Sequence, residues 1–345
     1  MPGNFCGDTA TMAETTALAL FSGGLDSILA CRVVQQQNIR VQAVQFVSPF
    51  FHDQLWEKED EYRLYIKSKY DIDVMLKDIT LPYLAMLKNP PHGYGKYFNP
   101  CIDCKILMVS EIKKMMADFN ASFLITGEVI GQRPMSQRKD TMRVIERDSN
   151  TDLILLRPLC ARSQKPTRVE LDGIVDRDKL PDFSGRGRSG QIRLAEELGI
   201  RDYPNPAGGC VLADPVLGGR LQKIFQGDPD INPEDIRFLL VGRQFLLPHG
   251  GWLALGRKQQ ENSRITALRQ NGDYLLKMKD RPGPTGLLRY GHHPEDQKLA
   301  ASLVVRYGKK TKNGPAAAVV RVEGPGTVFE IRTDPCLDQL GGWRR

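Results

Sequence analysis

Long hydrophobic runs are missing from this 345-residue chain. No stretch of about 18 or more apolar residues occurs, so neither a transmembrane helix nor any membrane partner is expected. Residues 1–16 lack a basic segment followed by an apolar one, so the N-terminal tail does not read as a secretory signal. Cysteine is scarce: seven residues, an odd number, widely scattered. That excludes a disulfide framework and predicts a reducing, cytoplasmic setting. Internal repeats and low-complexity tracts are absent too. What remains is an ordinary globular composition, 41% apolar and 26% charged, long enough for two domains or three.

Charge is unevenly placed. Residues 1–214 hold 27 Lys+Arg against 28 Asp+Glu, whereas residues 215–345 hold 21 against 13. The C-terminal part, net +8, has the balance that a phosphate-backbone surface needs, although solubility alone would also use it.

The segment 18–21 is a short apolar run ending in glycines, as a buried parallel strand would be. Residues 27–37 then have helical spacing, and 41–47 alternate as a second strand. Further strands are expected at 72–76, 122–126 and 153–156, with helices near 57–70 and 105–119. This alternation predicts an α/β domain over 17–214, mostly parallel, with helices on both faces of the sheet. Residues 182–190 read as a loop and 191–198 as a short helix closed by Gly199. The texture changes near 214–220. Strands at 238–247, 252–255, 274–277 and 317–322, with a helix near 294–307, predict a basic β-rich or α+β domain over 215–345.

Ser22-Gly23-Gly24-Leu25-Asp26-Ser27 joins the first strand to the first helix. Glycines there let successive N–H groups face one anion, and the helix N-terminus favours negative charge. Asp26 could hold Mg²⁺ or position a pyrophosphate. No lysine follows the glycines, so this is not a GxxxxGK[ST] loop, and it is not GxGxxG either. The segment resembles the pyrophosphate-binding loop of the N-type ATP pyrophosphatases, with their adenine nucleotide alpha hydrolase-like fold. That resemblance implies ATP cleavage between the α and β phosphates, with Ser22, Gly23, Gly24, Asp26 and Ser27 around the nucleotide. It also places adenine near 44–47, where Phe46 is either a stacking ring or core.

Cys101-Ile102-Asp103-Cys104 puts two thiols one turn apart before a helix. The spacing suits a redox pair, a zinc or iron–sulfur site, a persulfide relay, or two inert cysteines. Cys210 follows Gly208 and Gly209, which would let the backbone pass close to a bulky group. Cys6, Cys31 and Cys160 have no companions, and Cys31 reads as core. The segment 126–132, containing Gly127 and Gln132, starts where a strand ends, the edge at which such sheets bind ligands. With Cys101–Lys105, and Leu156-Arg157-Pro158-Leu159 after it, this resembles the catalytic domain of tRNA 4-thiouridine synthases over roughly 17–215. The sixteen preceding residues leave no room for those synthases' RNA-binding domain, and no rhodanese-like carrier is evident. An early CxxC and a later lone cysteine also resemble the iron–sulfur-dependent tRNA thiolases.

The resemblance implies an ATP-dependent tRNA thiouridine synthase with Asp26, Cys104 and Cys210 catalytic. Either Cys101, Cys104 and Cys210 hold a [4Fe–4S] cluster, or Cys104 and Cys210 relay a persulfide. ATP, Mg²⁺, tRNA and a sulfide or persulfide donor are the implied partners. Residues 240–265 resemble the RNA-binding domain of ribosome-quality-control proteins. Arg133, Arg138, Lys139, Arg143, Arg186, Arg188 and Arg193 are candidate phosphate contacts or solvated surface. Two rivals stay open: an adenylating ligase or amidotransferase component, and a nucleotide- and RNA-binding module without turnover.

Overall fold

Thr16–Leu20 (β1) lies at the centre of a sheet because almost every residue in it is buried, which a strand flanked and covered on both faces requires. In the computed structural model, residues 15–205, 210–227, 231–309 and 316–336 are described. They fall into two compact units that meet in sequence at Ala213 and Asp214.

In the first unit β1 leads into α1 (Leu25–Gln35), β2 (Arg40–Val47), α2 (Glu59–Tyr70), β3 (Asp73–Asp78), α3 (Thr80–Lys88) and α4 (Cys101–Lys114). Then come β4 (Ala121–Thr126), α5 (Lys139–Asp148), β5 (Leu155–Leu156), α6 (Arg168–Leu171) and α7 (Ser189–Glu197). Among the described residues the strands pair in parallel in the order β3-β2-β1-β4-β5. One face carries α1, α2 and α7: Ala17, Ala19 and Ala43 share a core there with Ile28, Ile66 and Ala195. On the other, α4 packs on β1, between α3 and α5. The expected α/β sheet with helices on both faces is therefore present. Gly199, at φ +72°, ends α7 where a residue with a Cβ would be strained. The strand expected from 153 is only Leu155–Leu156, because Leu153 sits at φ +66° and turns the chain.

Topology fixes the position of the site. The chain moves outward from β1 through β2 to β3, then crosses back to β4, so a switch point lies between β1 and β4. Leu20 is level with Val44 on one side and Thr126 on the other. The loops after β1 and β4 thus leave the same carboxyl edge, where open α/β sheets bind ligands. Helices in such crossovers run back against the strands, so the N-termini of α1 and α4 lie at this edge as well.

The second unit contains α8 (Pro215–Gly227), α9 (Pro233–Leu239), β6 (Arg243–Leu246), β7 (Trp252–Leu255), α10 (Gln259–Ala267), β8 (Tyr274–Met278), β9 (Gly286–Arg289), α11 (Pro294–Arg306), β10 (Ala318–Gly324) and β11 (Thr327–Thr333). The strands pair antiparallel in the order β11-β10-β8-β9-β7-β6. Phe245, Leu253, Leu276 and Leu288 meet Ala300, Ala301 and Val304 of α11 in one core. The strand expected over 238–247 is half wrong: residues to Leu239 are helical, and pairing starts at Arg243. Asn232 caps this helix by accepting from the Asp235 N–H at 2.9 Å, and Pro233 takes the first helical position. Arg289, 2% exposed, is held between Asp235 at 2.7 Å and Asp273 at 3.3 Å. Such a buried network is satisfied, and is best read as structural. Among the described residues no helix is long and apolar enough to cross a membrane.

Candidate active site

The loop after β1 is pre-shaped by its own hydroxyls. Ser27 Oγ donates to the Gly24 carbonyl at 2.8 Å and accepts from the Ser22 N–H at 3.3 Å, while Ser22 Oγ donates to it at 3.2 Å. Gly23 has φ +73°, which a residue with a Cβ rarely adopts, and it turns the chain into α1. Asp26 follows in the first helical turn. Its Oδ2 accepts from Gln132 Nε2 at 2.7 Å and from the Arg188 guanidinium at 3.3 Å. Its Oδ1 is buried and has no hydrogen-bond partner, and neither has Arg188 Nε. A buried carboxylate oxygen left open beside a phosphate-type loop is what a Mg²⁺ or pyrophosphate site requires, since such groups are otherwise satisfied.

Gln132 and Arg188 reach Asp26 because two segments are tied together. The Gly185 N–H donates to the Ile130 carbonyl at 2.7 Å, and Gln191 Nε2 donates to Gln132 Oε1 at 3.0 Å. This brings Arg186 and Arg188 to a cavity of about 700 Å³ that is also lined by Ser22–Asp26, Gln132 and Arg133, a size typical of small-ligand clefts. Three of the candidate basic residues therefore face the nucleotide side. His52 and Tyr62 line it as well, and burial lowers the His52 pKa, favouring a neutral imidazole. Phe46 does not line this cavity and is 3% exposed. The strand alternates, so Gln45 reaches the cavity and Phe46 points into the layer on the opposite face. Of the two readings of Phe46, stacking ring or core, the structure has the second.

Gly127 makes the closest approach. A Cβ there would stand 2.5 Å from the Asp26 carbonyl carbon and oxygen and 2.6 Å from the Ser27 nitrogen. Gly127→Ala is therefore expected to displace the loop, destabilising the fold by about 1–3 kcal/mol and weakening ATP binding. Thermal unfolding and ATP titration check this, and wild-type values in both would overturn it. Glu128, 3% exposed, anchors the same segment through Arg157 at 3.0 Å and Lys105 at 3.7 Å. Burial pushes its carboxyl up, but Lys105 and Arg157 pull it down further, so it stays ionised.

Cys101 and Cys104 open α4 at the same sheet edge. Cys101 Sγ donates to Asn99 Oδ1 at 3.1 Å, and the Tyr83 hydroxyl donates to Cys104 Sγ at 3.5 Å. Cys210, exposed, stands near enough to both that its charge raises their pKa values. Burial is the larger cause: it pushes the Cys101 thiol up and the Cys104 thiol to about 11. Lys105 pulls both down, and Arg133 pulls Cys101 down. Cys101 is thus within electrostatic range of Arg133, which also lines the loop cavity. The three thiols do not crowd as closely as the ligands of one ion, which among the described residues only His249, His293 and Glu295 do, so they match an iron–sulfur cluster by the chemistry of their donor atoms and not by a spacing. Soft sulfur donors suit such a cluster. Gly208, Gly209 and Cys6 lie outside the described residues. Cys31, 1% exposed, is core, and its thiol is raised by burial to about 12. Cys160 is buried, donating to the Glu128 carbonyl at 3.3 Å. Tyr83 and Gln191 have no local sequence sign at this site, because only the packing of the chain brings them there, whereas Asn99 reaches Cys101 from two residues away.

Two family models match the chain. Residues 12–169 match that of the thiamine biosynthesis protein ThiI, and residues 242–337 that of the NFACT protein RNA-binding domain. Among curated proteins none matches. Solved structures with related folds include a 4-thiouridine synthetase bound to RNA and ATP, at 20% identity and a TM-score of 0.38, covering 63% of this chain and 51% of that one. The chain therefore spans about half the length of that synthetase. Another is the U34-tRNA thiolase NcsA from Methanococcus maripaludis with its [4Fe–4S] cluster, at 15% identity and TM-score 0.31, covering 63% and 68%. A third is the C-terminal part of the fibronectin/fibrinogen-binding protein from Streptococcus suis, at 14% and 0.27, covering 91% and 100%.

Proposed function

We propose, for a chain whose N-terminal unit holds a ThiI-like PP-loop domain, that the protein is an ATP-dependent tRNA thiouridine synthase. A base oxygen attacks the α-phosphorus of ATP, pyrophosphate leaves, and the base carries an AMP ester. Sulfur then attacks the base carbon, and AMP departs with the oxygen. The first step converts a poor leaving group into a good one, and the second uses it.

Residues of this chain have distinct parts in that sequence. The loop N–H groups after β1 and the Ser22 and Ser27 hydroxyls bind the leaving pyrophosphate. Asp26 Oδ1 would hold Mg²⁺, which neutralises phosphate charge as it develops. Gln132 and Arg188 fix the Asp26 carboxylate, and Arg133 and Arg186 hold further phosphate or ribose oxygens. Cys101, Cys104 and Cys210 would hold a [4Fe–4S] cluster, which, when bound, supplies an iron free of protein ligand for carrying sulfide. The basic second unit, which includes the NFACT-type region, binds the tRNA body through phosphate contacts. A reducing, cytoplasmic setting and a sulfide or persulfide donor follow from this chemistry.

What supports the reading is the open Asp26 oxygen beside the glycine loop, with Cys101 and Cys104 opening α4 and Cys210 within electrostatic range of both. An adenylating ligase, or a nucleotide-binding module without turnover, would use the loop and leave the thiols without purpose. Nucleoside mass spectrometry of tRNA from cells lacking the protein is the test. One thiolated uridine should vanish, and purified protein should release pyrophosphate from ATP only when tRNA from those cells is added. An unchanged nucleoside profile together with tRNA-independent ATP turnover would exclude the proposal.

A further inference from the structure

Between α3 and the cysteines the chain makes a short, tightly held excursion that the reaction as described does not use. His92 fastens its start: the backbone N–H donates to Asp103 Oδ2 at 3.0 Å and the ring Nδ1 meets Asp103 Oδ1 at 2.9 Å. The Gly95 N–H donates to the Asn99 carbonyl at 2.8 Å, closing a small loop, and Asn99 in turn accepts from Cys101. Gly95 also lies flat against Met135, since a Cβ there would stand 2.2 Å from the Met135 methyl. The loop therefore spans from the segment containing Arg133, on the nucleotide cavity, to the thiols.

At its tip is Tyr97, with φ +61° and 48% of its surface exposed. A bulky aromatic residue in the left-handed region is an outlier, and outliers of this kind point to function when the surroundings hold them in place. The ring carries Lys96 Nζ at 5.1 Å from its centroid. Three residues before it Tyr94, 40% exposed, stacks on the buried Phe98 with centroids 4.4 Å apart and donates its hydroxyl to the Leu87 carbonyl. A cation next to exposed aromatic rings is the composition of a nucleobase platform.

We propose that Tyr97 is the surface on which the RNA base undergoing substitution stacks, with Tyr94 as its neighbour and Lys96 meeting the adjoining phosphate. The inference rests on the tRNA-thiolation reading and adds the position at which the base is held. A base must leave its own stack to reach both the α-phosphorus and the sulfur, and a ring on a loop tied to Met135 at Gly95 and to Cys101 at Asn99 replaces the lost stacking. Adenine of ATP has the same chemistry, so the experiment separates the two sources.

Unmodified tRNA transcripts carrying 5-iodouridine are irradiated with full-length wild-type protein, Tyr97→Phe and Tyr97→Gly, and the cross-linked peptide is mapped. Glycine accepts φ +61° without strain, so Tyr97→Gly removes the ring and leaves the loop at least as easily folded. Wild-type protein should cross-link at Tyr97. Tyr97→Gly should lose that adduct and raise the tRNA KM about tenfold, the lower range of an aromatic–base stack, with ATP affinity unchanged. Tyr97→Phe should keep the wild-type KM. A normal tRNA KM in Tyr97→Gly, or no adduct at Tyr97 in an active wild-type protein, overturns the platform alone. Weakened ATP binding with an unchanged tRNA KM assigns the ring to adenine instead. Absence of any tRNA-dependent pyrophosphate release in the wild type overturns the thiolation reading and the platform with it.

Discussion

Asp26→Ala is expected to lower tRNA-dependent pyrophosphate release by about 10²–10³-fold or more while the protein stays folded. That is the range seen when one preorganised charge-stabilising group is removed from a reacting centre. The reason is geometric. Asp26 offers one oxygen, Oδ2, to Gln132 and Arg188, and keeps the other buried and open. Glu128 Oε1 is likewise buried without a hydrogen bond, but it faces the Lys105 ammonium at 3.7 Å. Losing Asp26 removes the anionic anchor for Mg²⁺ and frees Arg188 to bind phosphate without the metal, which changes the charge that meets the leaving pyrophosphate. The Asp26 side chain is 19% exposed and makes few apolar contacts, so the melting temperature should move little. Asp26→Asn keeps the shape and one acceptor, and should also fail. Pyrophosphate release by Asp26→Ala within a few-fold of wild type would sink the assignment.

Cys210→Ala should remove bound iron and sulfur transfer together and leave ATP binding intact. Replacing even a group behind a metal ligand costs about 10–100-fold in affinity, and losing one of three ligands should cost no less. Cys210 is remote in sequence from Cys101 and Cys104, yet near enough in space to shift both. It lies outside the core and is exposed, so truncating it leaves no cavity that could explain a loss by unfolding. The measurement is anaerobic reconstitution, followed by iron and sulfide analysis and the cluster's electronic spectrum. Full wild-type iron in Cys210→Ala excludes the three-cysteine ligand set. Wild-type protein that never binds iron but thiolates tRNA from a persulfide donor excludes the cluster and leaves Cys104 and Cys210 as a relay.

The glycine loop from Ser22 to Ser27 was legible because its chemistry is local: a strand, a turn that needs φ > 0, and a helix N-terminus follow one another without a break. The alternation of strands and helices gave the parallel sheet for the same reason. Signals within one turn of Asn232 and Pro233 would have found the helix that replaces the first half of the strand expected at 238–247, but the apolar run over Phe238–Leu240 outweighed them. Phe46 shows a limit of another sort. Its neighbour Gln45 reaches the cavity, and only the side of the sheet on which α1 packs decides which of the two does so.

By itself, then, the sequence determined the phosphate loop, the paired thiols of Cys101 and Cys104, the α/β character of the first 214 residues and the basic balance of the rest. Each depends on residues within a few positions of one another, where covalent spacing and backbone preference act directly. The tertiary structure decided what those pieces meet. Gln132 reaches Asp26 because the crossover from β3 to β4 sets the loop after β4 beside the loop after β1, and Arg188 follows because Gly185 and Gln191 are tied to Ile130 and Gln132. Pairings of that kind are set by sheet order and by which face each helix covers. Those are cooperative properties of the packed core, so no local run of residues carries them.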